Sequence, residues 1–404
     1  MDFRVSRAFL VVMDSVGIGG APDAFQYWNG AHSDTGANTV AHVAQALNGR
    51  LHLPVLDGMG LGASIALASS DGAPGLTADP SGCWGAATQV SKGRDTPSGH
   101  WEMAGLPVTW DWHVFPEKTP SFPESVVELV ASMAGVDGIL GNCRASGMEI
   151  IRKLGKEHLE TGWPICYTSA DSVFQVAAHE AAFGLRRLHD LCEGMAPALH
   201  DMGVGRVIAR PFAGAIGRGF ARTVNRRDFA VPPPMPTLCD WVKDAGRSVV
   251  GIGKIGDIFA MRGITRVLKG SDAALMEHLR SSVSLAPDGA LVFANFVEFD
   301  SLYGHRRDAE GYARALEWFD VMIGKLLPQL RDDDLLVITA DHGNDPTWFG
   351  VDHTRERVPV LVAGYGKGEL GLVALADVAA SVAAHLGVKN RGPGKNFLPL
   401  RDVG

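Results

Sequence analysis

Aspartate and histidine residues follow several short apolar runs of the chain, and these residue types can hold divalent metal ions. The six side chains are Asp14, Asp300, His305, Asp341, His342 and His353. Each apolar run has the length of a buried strand, and open α/β sheets bind ligands where their strands end. Singly, an aspartate could cap a helix and a histidine could be a hydrogen-bonded core residue. Three carboxylates and three imidazoles at strand ends together predict a metal site.

The ligand types predict hard-to-borderline ions, and their number predicts two of them. Oxygen and nitrogen ligands without thiolates suit manganese, magnesium or zinc. Six side chains exceed the needs of one open catalytic site, so they divide into two triads, one for each ion. Two divalent ions against three carboxylates leave the site net positive when the histidines are neutral. Such a site suits phosphate, because paired ions can clamp the attacking and leaving oxygens of a phosphoryl transfer.

A site of this kind still needs a nucleophile, and the stretch RDTPSGHWEM at residues 94–103 contains one candidate. Thr96 follows Asp95 and precedes a Pro-Ser-Gly turn. A threonine in a turn most often caps the local backbone, but metal coordination would lower the pKa of its hydroxyl. We therefore expect Thr96 to be the nucleophile. His100, in the same stretch, is expected to support the turn.

The elements that must position these residues predict a layered α/β fold. Apolar runs that end in turn residues predict buried strands at residues 7–14, 247–253, 290–300, 334–341 and 358–364. The spacing of apolar residues predicts a helix over residues 308–330. Because strands and helices alternate, the central sheet is expected to be mostly parallel.

The middle of the chain predicts a second, inserted domain. Residues 111–230 have Gly-rich turns and clustered arginines, and they close at NRRDFAVPPPMPT, whose three consecutive prolines favour an extended connector. We expect a core domain in two parts, residues 1–110 and 231–404, with the metal site in the second part and a smaller α/β cap between them. The alternative is that the prolines form a surface loop of one domain. A chain of 404 residues is long enough for two domains.

Composition excludes several classes of partner. A net charge of −8 gives no basic footprint for nucleic acid. No apolar stretch is long and uninterrupted enough to predict a membrane span or a signal peptide. Five cysteines without a C-x-x-C pair argue against a disulfide framework or structural zinc site and favour a reducing cytoplasm.

Eight segments, between residue 7 and about residue 365, resemble in order the signature segments of the phosphopentomutases, manganese enzymes of the alkaline phosphatase superfamily. They are MDSVGIGGAPDA, GRDTPSGHWEM, YTSADSVFQVAAHE, RVIARPF, NRRDFAVPPP, GKIGDIF, FDSLYGHRRDAEGYA and TADHGNDPTWFGVDHTRERVPVL. The resemblance implies an alkaline-phosphatase-like core with an inserted cap. It also implies an isomerase that interconverts α-D-ribose 1-phosphate, or its 2-deoxy form, with the 5-phosphate. The family works through a phosphoenzyme and a bisphosphate, primed by glucose 1,6-bisphosphate or a pentose bisphosphate.

The resemblance also assigns roles to individual residues. It assigns one manganese ion to Asp14, Asp341, His342 and the Thr96 oxygen, and the other to Asp300, His305 and His353. It assigns substrate binding to Ser169, Asp171, Val173, Arg206, Ile208, Arg222 and Lys254. Arg210 is equally well explained as a surface charge. Two segments depart from the family pattern. Ser98 stands where a second threonine is common, and Cys143 and Arg144 replace a usual Lys-Pro pair.

Three other interpretations are weighed against this one. GIGKIG at residues 251–256 matches a dinucleotide-binding pattern, but its glycines are accounted for by the approach of Lys254 to a phosphate. A related phosphatase or a cofactor-independent phosphoglycerate-type mutase would share the metal ligands. A non-catalytic phosphosugar sensor would need neither the nucleophile nor the metal triads, so it is the more remote alternative.

Overall fold

The computed structural model describes residues 6–169 and 172–399. The chain forms two compact units. Unit 1 comprises the residues up to Thr109 and from Pro233 onwards, and unit 2 comprises Trp110–Pro232. The second boundary therefore lies within the three consecutive prolines. Among the described residues, no helix is long and apolar enough to span a membrane.

Sixteen strands and twelve α-helices make up the described part of the chain. The strands are β1 (Ala8–Met13), β2 (Trp28–Asn29), β3 (His32–Ser33), β4 (Cys83–Thr88), β5 (Leu140–Arg144), β6 (Ile165–Thr168), β7 (Val173–His179), β8 (Arg206–Ala215), β9 (Gly219–Arg222), β10 (Arg227–Ala230), β11 (Val249–Ile252), β12 (Arg266–Leu268), β13 (Leu291–Phe296), β14 (Leu335–Thr339), β15 (Val358–Ala363) and β16 (Gly368–Ala374). The helices are α1 (Thr39–Ala46), α2 (Pro54–Met59), α3 (Leu61–Ala68), α4 (Thr96–Met103), α5 (Glu124–Ala134), α6 (Gly147–Thr161), α7 (Leu185–Asp201), α8 (Leu238–Asp244), α9 (Ile255–Ile258), α10 (Asp272–Leu285), α11 (Ala309–Leu326) and α12 (Asp377–Leu386).

The main sheet of unit 1 has eight strands in the order β12-β11-β13-β1-β14-β15-β4-β16. Only β15 runs antiparallel to its neighbours. Strands β1, β13 and β14 are buried along their whole length, which explains their near-continuous apolar sequences. The predicted mostly parallel α/β fold is confirmed. Because β13, β1 and β14 are adjacent and parallel, the residues that follow them meet at one edge of the sheet.

All five predicted strands of unit 1 are present, each shorter than its predicted run, and the difference is largest for β13. Strand β13 ends at Phe296, so Asp300 lies in a π-helical turn, Phe299–Gly304, instead of at the strand end. Just beyond the end of the strand, the Glu298 N–H donates to Asp272 Oδ2 at 3.1 Å instead of to a neighbouring strand. The sequence did not predict β4, β12 or β16.

The helix predicted over residues 308–330 is confirmed as α11, which continues into a 3-10 turn at Leu327–Gln329. The Asp308 carboxylate caps the helix by accepting from the Gly311 N–H at 2.8 Å. The apolar face of this helix is buried, as its 3.6-residue periodicity requires.

Unit 2 is a smaller α/β layer structure with its own core. Its six-stranded sheet has the order β10-β8-β7-β6-β5, with β9 paired to β8. Helices α5 and α7 pack on one face around Phe174 and Val176, and α6 packs on the other around Ile165 and Phe212. The α/β class expected for the middle segment is therefore the class observed.

Candidate metal and nucleophile site

Four functional side chains lie just beyond the carboxyl ends of β1, β13 and β14. Asp14 directly follows β1, and Asp341 and His342 come shortly after β14. Asp300 lies four residues beyond the end of β13. Asp14 and Asp341 are fully buried and Asp300 is nearly so. Burial of three carboxylates in one place is costly unless positive charge compensates them.

Asp14, Asp341 and His342 form a first cluster. The Nε2 atom of His342 lies 3.3 Å from Asp341 Oδ2 and 3.6 Å from Asp14 Oδ1. Asp341 Oδ1 accepts hydrogen bonds from the backbone N–H groups of Ser15 and His342, at 3.0 and 3.1 Å. Within the described part of the chain, Asp14 Oδ1 and Asp341 Oδ2 are buried and accept no hydrogen bond of good geometry, although His100 Nδ1 lies 3.1 Å from Asp341 Oδ2. Orphaned carboxylate oxygens of this kind fit a cation.

Asp300, His305 and His353 form a second cluster. The Nδ1 atoms of His305 and His353 lie 2.7 Å and 2.9 Å from the carbonyl oxygens of Val351 and Arg94. Because a carbonyl only accepts, each Nδ1 carries the hydrogen and each Nε2 keeps a lone pair. The two Nε2 atoms face each other at 3.1 Å and lie 3.2 and 3.3 Å from the Asp300 carboxylate. Facing lone pairs at this distance require a proton or a cation between them.

The two clusters adjoin each other. The rings of His342 and His353 stack with centroids 4.0 Å apart. His342 Nδ1 donates to the carbonyl of Gly343 at 3.1 Å, so its Nε2 also keeps a lone pair. Although burial opposes the charged form of His342, Asp341, Asp14 and Asp300 raise its pKa to about 9. Without a metal, the carboxylates therefore hold a proton in a place that suits a cation.

Thr96 is the first residue of α4, with Asp95 as the N-cap. Its Oγ1 lies 3.3 Å from His342 Nε2, so the hydroxyl faces the first cluster. The hydroxyl of Ser98 points away, since it donates to Asp95 Oδ2 at 3.0 Å while the Ser98 N–H donates to Asp95 Oδ1 at 3.0 Å. Of these two hydroxyls, only that of Thr96 is directed at the cluster.

Asn344, Arg307 and Ser15 support these clusters and were not identified from the sequence. Asn344 Nδ2 donates to Asp300 Oδ1 at 2.7 Å, and Arg307 Nη1 donates to Asn344 Oδ1 at 2.6 Å. Ser15 has a left-handed backbone with φ of 73°, which directs its N–H at Asp341. The only sequence signal is proximity, because Ser15 follows Asp14 and Asn344 belongs to the segment DHGND.

Three of the residues predicted to bind substrate lie at the start of neighbouring strands in unit 2. Val173 begins β7 and pairs in register with Arg206 at the start of β8, and Ile208 follows on the same strand. Val173 and Ile208 are each 2% exposed, whereas the Arg206 side chain is 37% exposed. Ser169 directly follows β6, and Asp171 lies outside the described residues.

Arg222 is not brought next to Arg206. It pairs with Phe212, six residues along β8 from Arg206, which corresponds to about 20 Å of strand. Arg210 lies between them and donates from Nε to Gln175 Oε1 at 3.0 Å. Burial and the neighbouring arginines lower the pKa of Arg210, which shows a concentration of positive charge on this face.

Lys254 and Arg144, the remaining candidate cations, have different surroundings. Lys254 follows the end of β11 by two residues, at the edge of the sheet where Asp14 lies, and its charge acts on that carboxylate. Arg144, at the end of β5, pairs with Glu117 at 3.0 Å and both side chains are exposed. A surface ion pair of this kind accounts for Arg144 without a ligand.

Comparison with known proteins gives the same family over nearly the whole chain. Residues 6–390 match the model of the metalloenzyme superfamily. The chain is 52% identical over 409 residues to a phosphopentomutase of Chelativorans sp. (strain BNC1), with 98% of each chain covered. It is 50% identical to a phosphopentomutase of Agrobacterium fabrum, covering 98% of this chain and 100% of that one. A phosphopentomutase of Methylobacterium sp. (strain 4-46) is 52% identical, with 95% and 98% covered.

Proposed function

Because the chain belongs to the phosphopentomutase family within the metalloenzyme superfamily, we propose that it interconverts α-D-ribose 1-phosphate, or its 2-deoxy form, and the 5-phosphate through phosphorylated Thr96. Membership of the family makes it an enzyme of the isomerase class that acts on small sugar phosphates. The residue-level route is our proposal. The observation that supports it most is that Thr96 Oγ1 faces the first of two adjoining clusters of metal-ligand type.

The donor sets fit two divalent ions. Asp14, Asp341 and His342 would hold one ion and Asp300, His305 and His353 the other. Orphaned buried oxygens in the first cluster and facing lone pairs in the second are what such ions would satisfy. We propose manganese, by resemblance to the family and because oxygen and imidazole ligands suit it. When bound, the ions supply positive charge that stabilises phosphoryl oxygens and lowers the pKa of a nearby hydroxyl.

The chain's own nucleophile would carry the phosphoryl group between the two ends of the sugar. Phosphorylated Thr96 transfers its group to the free hydroxyl of the sugar phosphate. The new O–P bond forms as the proton of that hydroxyl passes to Thr96 Oγ1, which keeps the electron pair of the broken bond. The resulting bisphosphate then returns its other phosphate to Oγ1, whose proton passes to the sugar oxygen as that oxygen leaves with its electron pair. Phosphorus is conserved throughout, and no water is consumed.

The remaining binding roles are carried over from the resemblance. By resemblance, we propose Arg206, Arg222 and Lys254 as phosphate-binding cations, although Arg206 and Arg222 lie about 20 Å apart along β8 and so do not share one phosphate. We propose Ser169, Asp171, Val173 and Ile208 as the residues that contact the ribose. Guanidinium groups bind phosphate oxygens in a bidentate fork, whereas a lysine acts as a point charge. Glucose 1,6-bisphosphate or a pentose bisphosphate would prime Thr96, and the odd number of cysteines supports a cytoplasmic setting.

The reaction can be tested directly with purified protein. Ribose 5-phosphate is incubated with manganese and a catalytic amount of glucose 1,6-bisphosphate, and ribose 1-phosphate and free phosphate are both followed by phosphorus NMR. We expect ribose 1-phosphate without matching release of phosphate. Steady release of phosphate with no 1-phosphate would identify a phosphatase and overturn the proposal. The Thr96→Ala variant, which lacks the hydroxyl, serves as the inactive control.

A further inference from the structure

His100 and Asn295 form a buried connection beneath the first cluster that the proposed reaction does not use. His100 lies on α4, one turn after Thr96, and Asn295 lies within β13; both are fully buried. Asn295 Nδ2 lies 2.8 Å from Asp14 Oδ2 and 3.2 Å from His100 Nε2. His100 Nδ1 lies 2.9 Å from the carbonyl oxygen of Thr96 and 3.1 Å from Asp341 Oδ2.

The acceptors in this connection fix where its hydrogens are. The carbonyl of Thr96 only accepts, so His100 Nδ1 carries a hydrogen. The Asp14 carboxylate accepts from Asn295 Nδ2, whose second hydrogen is directed at His100 Nε2. Nε2 therefore faces a donor, and Nδ1 faces the Thr96 carbonyl and the Asp341 carboxylate.

This connection joins three parts of the site that come from different elements. It links the turn that carries Thr96 to Asp341 after β14 and, through Asn295, to Asp14 after β1. The position of α4 is fixed closely, because a Cβ on Gly99 would overlap the backbone carbonyl of Asp341. The ring of His100 is also stacked on Phe293, with centroids 6.0 Å apart, so it has little freedom to turn.

We propose that His100 and Asn295 are positioning residues that set the geometry of the Thr96 hydroxyl relative to the Asp14 and Asp341 carboxylates. For Thr96 the inference rests on the proposed function; for the carboxylates it concerns metal affinity, which can be measured without substrate. Buried partners of metal ligands typically contribute 10- to 100-fold to affinity or activity.

The test compares three variants of the full-length protein. His100→Ala removes both contacts, and His100→Asn places an amide N–H near the position of the Nδ1–H. Met103→Ala is the matched control, because Met103 is fully buried on the same helix and its truncation also leaves a cavity. Calorimetry measures manganese binding to metal-free protein, and intact mass follows the rate at which glucose 1,6-bisphosphate phosphorylates the protein.

His100→Ala is expected to weaken binding of one manganese ion by about 10- to 100-fold and to slow phosphorylation of Thr96, with an unchanged KM for ribose 5-phosphate. His100→Asn should recover part of the manganese affinity and part of the phosphorylation rate. Met103→Ala should lose neither, even when its thermal stability falls as much as that of His100→Ala or more. Asn295→Ala should weaken the binding of the same ion. The variant that combines His100→Ala with Asn295→Ala should lose no more manganese affinity than the single variant that binds manganese more weakly.

The inference is overturned if His100→Ala binds manganese as the parent does, or if Met103→Ala loses as much affinity as His100→Ala. It is also overturned if His100→Asn recovers nothing while it folds normally. A parent protein that binds two manganese ions but is never phosphorylated would contradict the proposed role of Thr96, yet the affinity comparison would still decide the role of His100.

Discussion

Removing the two hydroxyls of the α4 turn one at a time should have opposite effects: one variant should lose activity but keep its stability, and the other should lose stability but keep its activity. Thr96→Ala removes a half-buried hydroxyl whose contact is His342 Nε2 at 3.3 Å. A single long hydrogen bond contributes about 1 kcal/mol or less, which shifts Tm by about 2 °C in a unit of this size. Loss of a nucleophile costs far more in rate, at least about 10³-fold. Thr96→Ala should therefore be stable and inactive.

Ser98→Ala should show the reverse. The Ser98 hydroxyl is fully buried and donates to the Asp95 carboxylate at 3.0 Å, a charge-assisted bond. Its removal leaves one carboxylate oxygen without that donor and should cost about 1–3 kcal/mol. Because the Ser98 N–H still donates to Asp95, the helix cap survives and Thr96 keeps its place. Most of the mutase activity should remain.

Three measurements check this pair of variants. Thermal unfolding should rank Ser98→Ala below Thr96→Ala, and the mutase assay should rank them in the opposite order. Intact mass after treatment with glucose 1,6-bisphosphate should show one added phosphoryl group in the parent and in Ser98→Ala, and none in Thr96→Ala. Thr96→Ser should keep part of the activity because its oxygen remains. If Thr96→Ala gains the phosphoryl group and peptide mapping places it on Ser98, the nucleophile has been misassigned.

Further predictions concern the metal clusters, unit 2 and the packing of α4. Asp300→Ala and His353→Ala each remove a ligand of the second cluster, so elemental analysis should find about one tightly bound ion per chain where the parent holds two; two ions in both variants would refute the assignment. His158 is buried, donates to Trp163 and accepts from the His179 N–H, and burial lowers its pKa. Since the unfolded state then takes up a proton below about pH 6.5, unit 2 should be most stable above that pH and lose stability as the pH falls. Protection factors of the β7 amides, corrected for the intrinsic pH dependence of exchange, should fall between pH 7.5 and 5.5; unchanged protection factors would contradict this. Gly99→Ala should lose at least tenfold in activity, because the added Cβ would overlap the Asp341 carbonyl oxygen and must displace α4 by about 1 Å, a misplacement that can cost about 10²-fold in rate; full activity would contradict the tight packing.

Much of unit 1 could be predicted because its strands are buried on both faces. Runs such as AFLVVM and LLVIT contain almost nothing but apolar residues, and short apolar runs of this kind between turn residues are typical of a parallel sheet. Strand β4, with the sequence CWGAAT, gave no such signal because its small residues have little β-propensity. The end of β13 was misplaced, and the residues that follow it bond to Asp272, 26 residues away, a contact that the local sequence does not indicate.

The ligand types of the site could be read from the sequence, but the support for them could not. Asn295 was the one visible anomaly, a polar residue inside the apolar run LVFANF. His100 was expected to support the turn, and the structure shows it in contact with the Thr96 carbonyl. Its second partner, Asp341, lies 241 residues further along the chain, so only the folded backbone reveals the contact.

The three histidines of the site show why residue types alone were insufficient. A histidine can offer a lone pair from either ring nitrogen, and the choice decides whether it can bind an ion in a given place. Here the choice is made by backbone carbonyls, those of Gly343, Val351 and Arg94, each of which holds an Nδ1–H and leaves Nε2 free. Any residue type supplies a backbone carbonyl, so sequence patterns carry no trace of this selection. The prediction of metal ligands from Asp and His spacing therefore depends on a fold that places a backbone carbonyl beside the Nδ1 of each ring. In this chain the loops around residues 94, 343 and 351 supply those carbonyls.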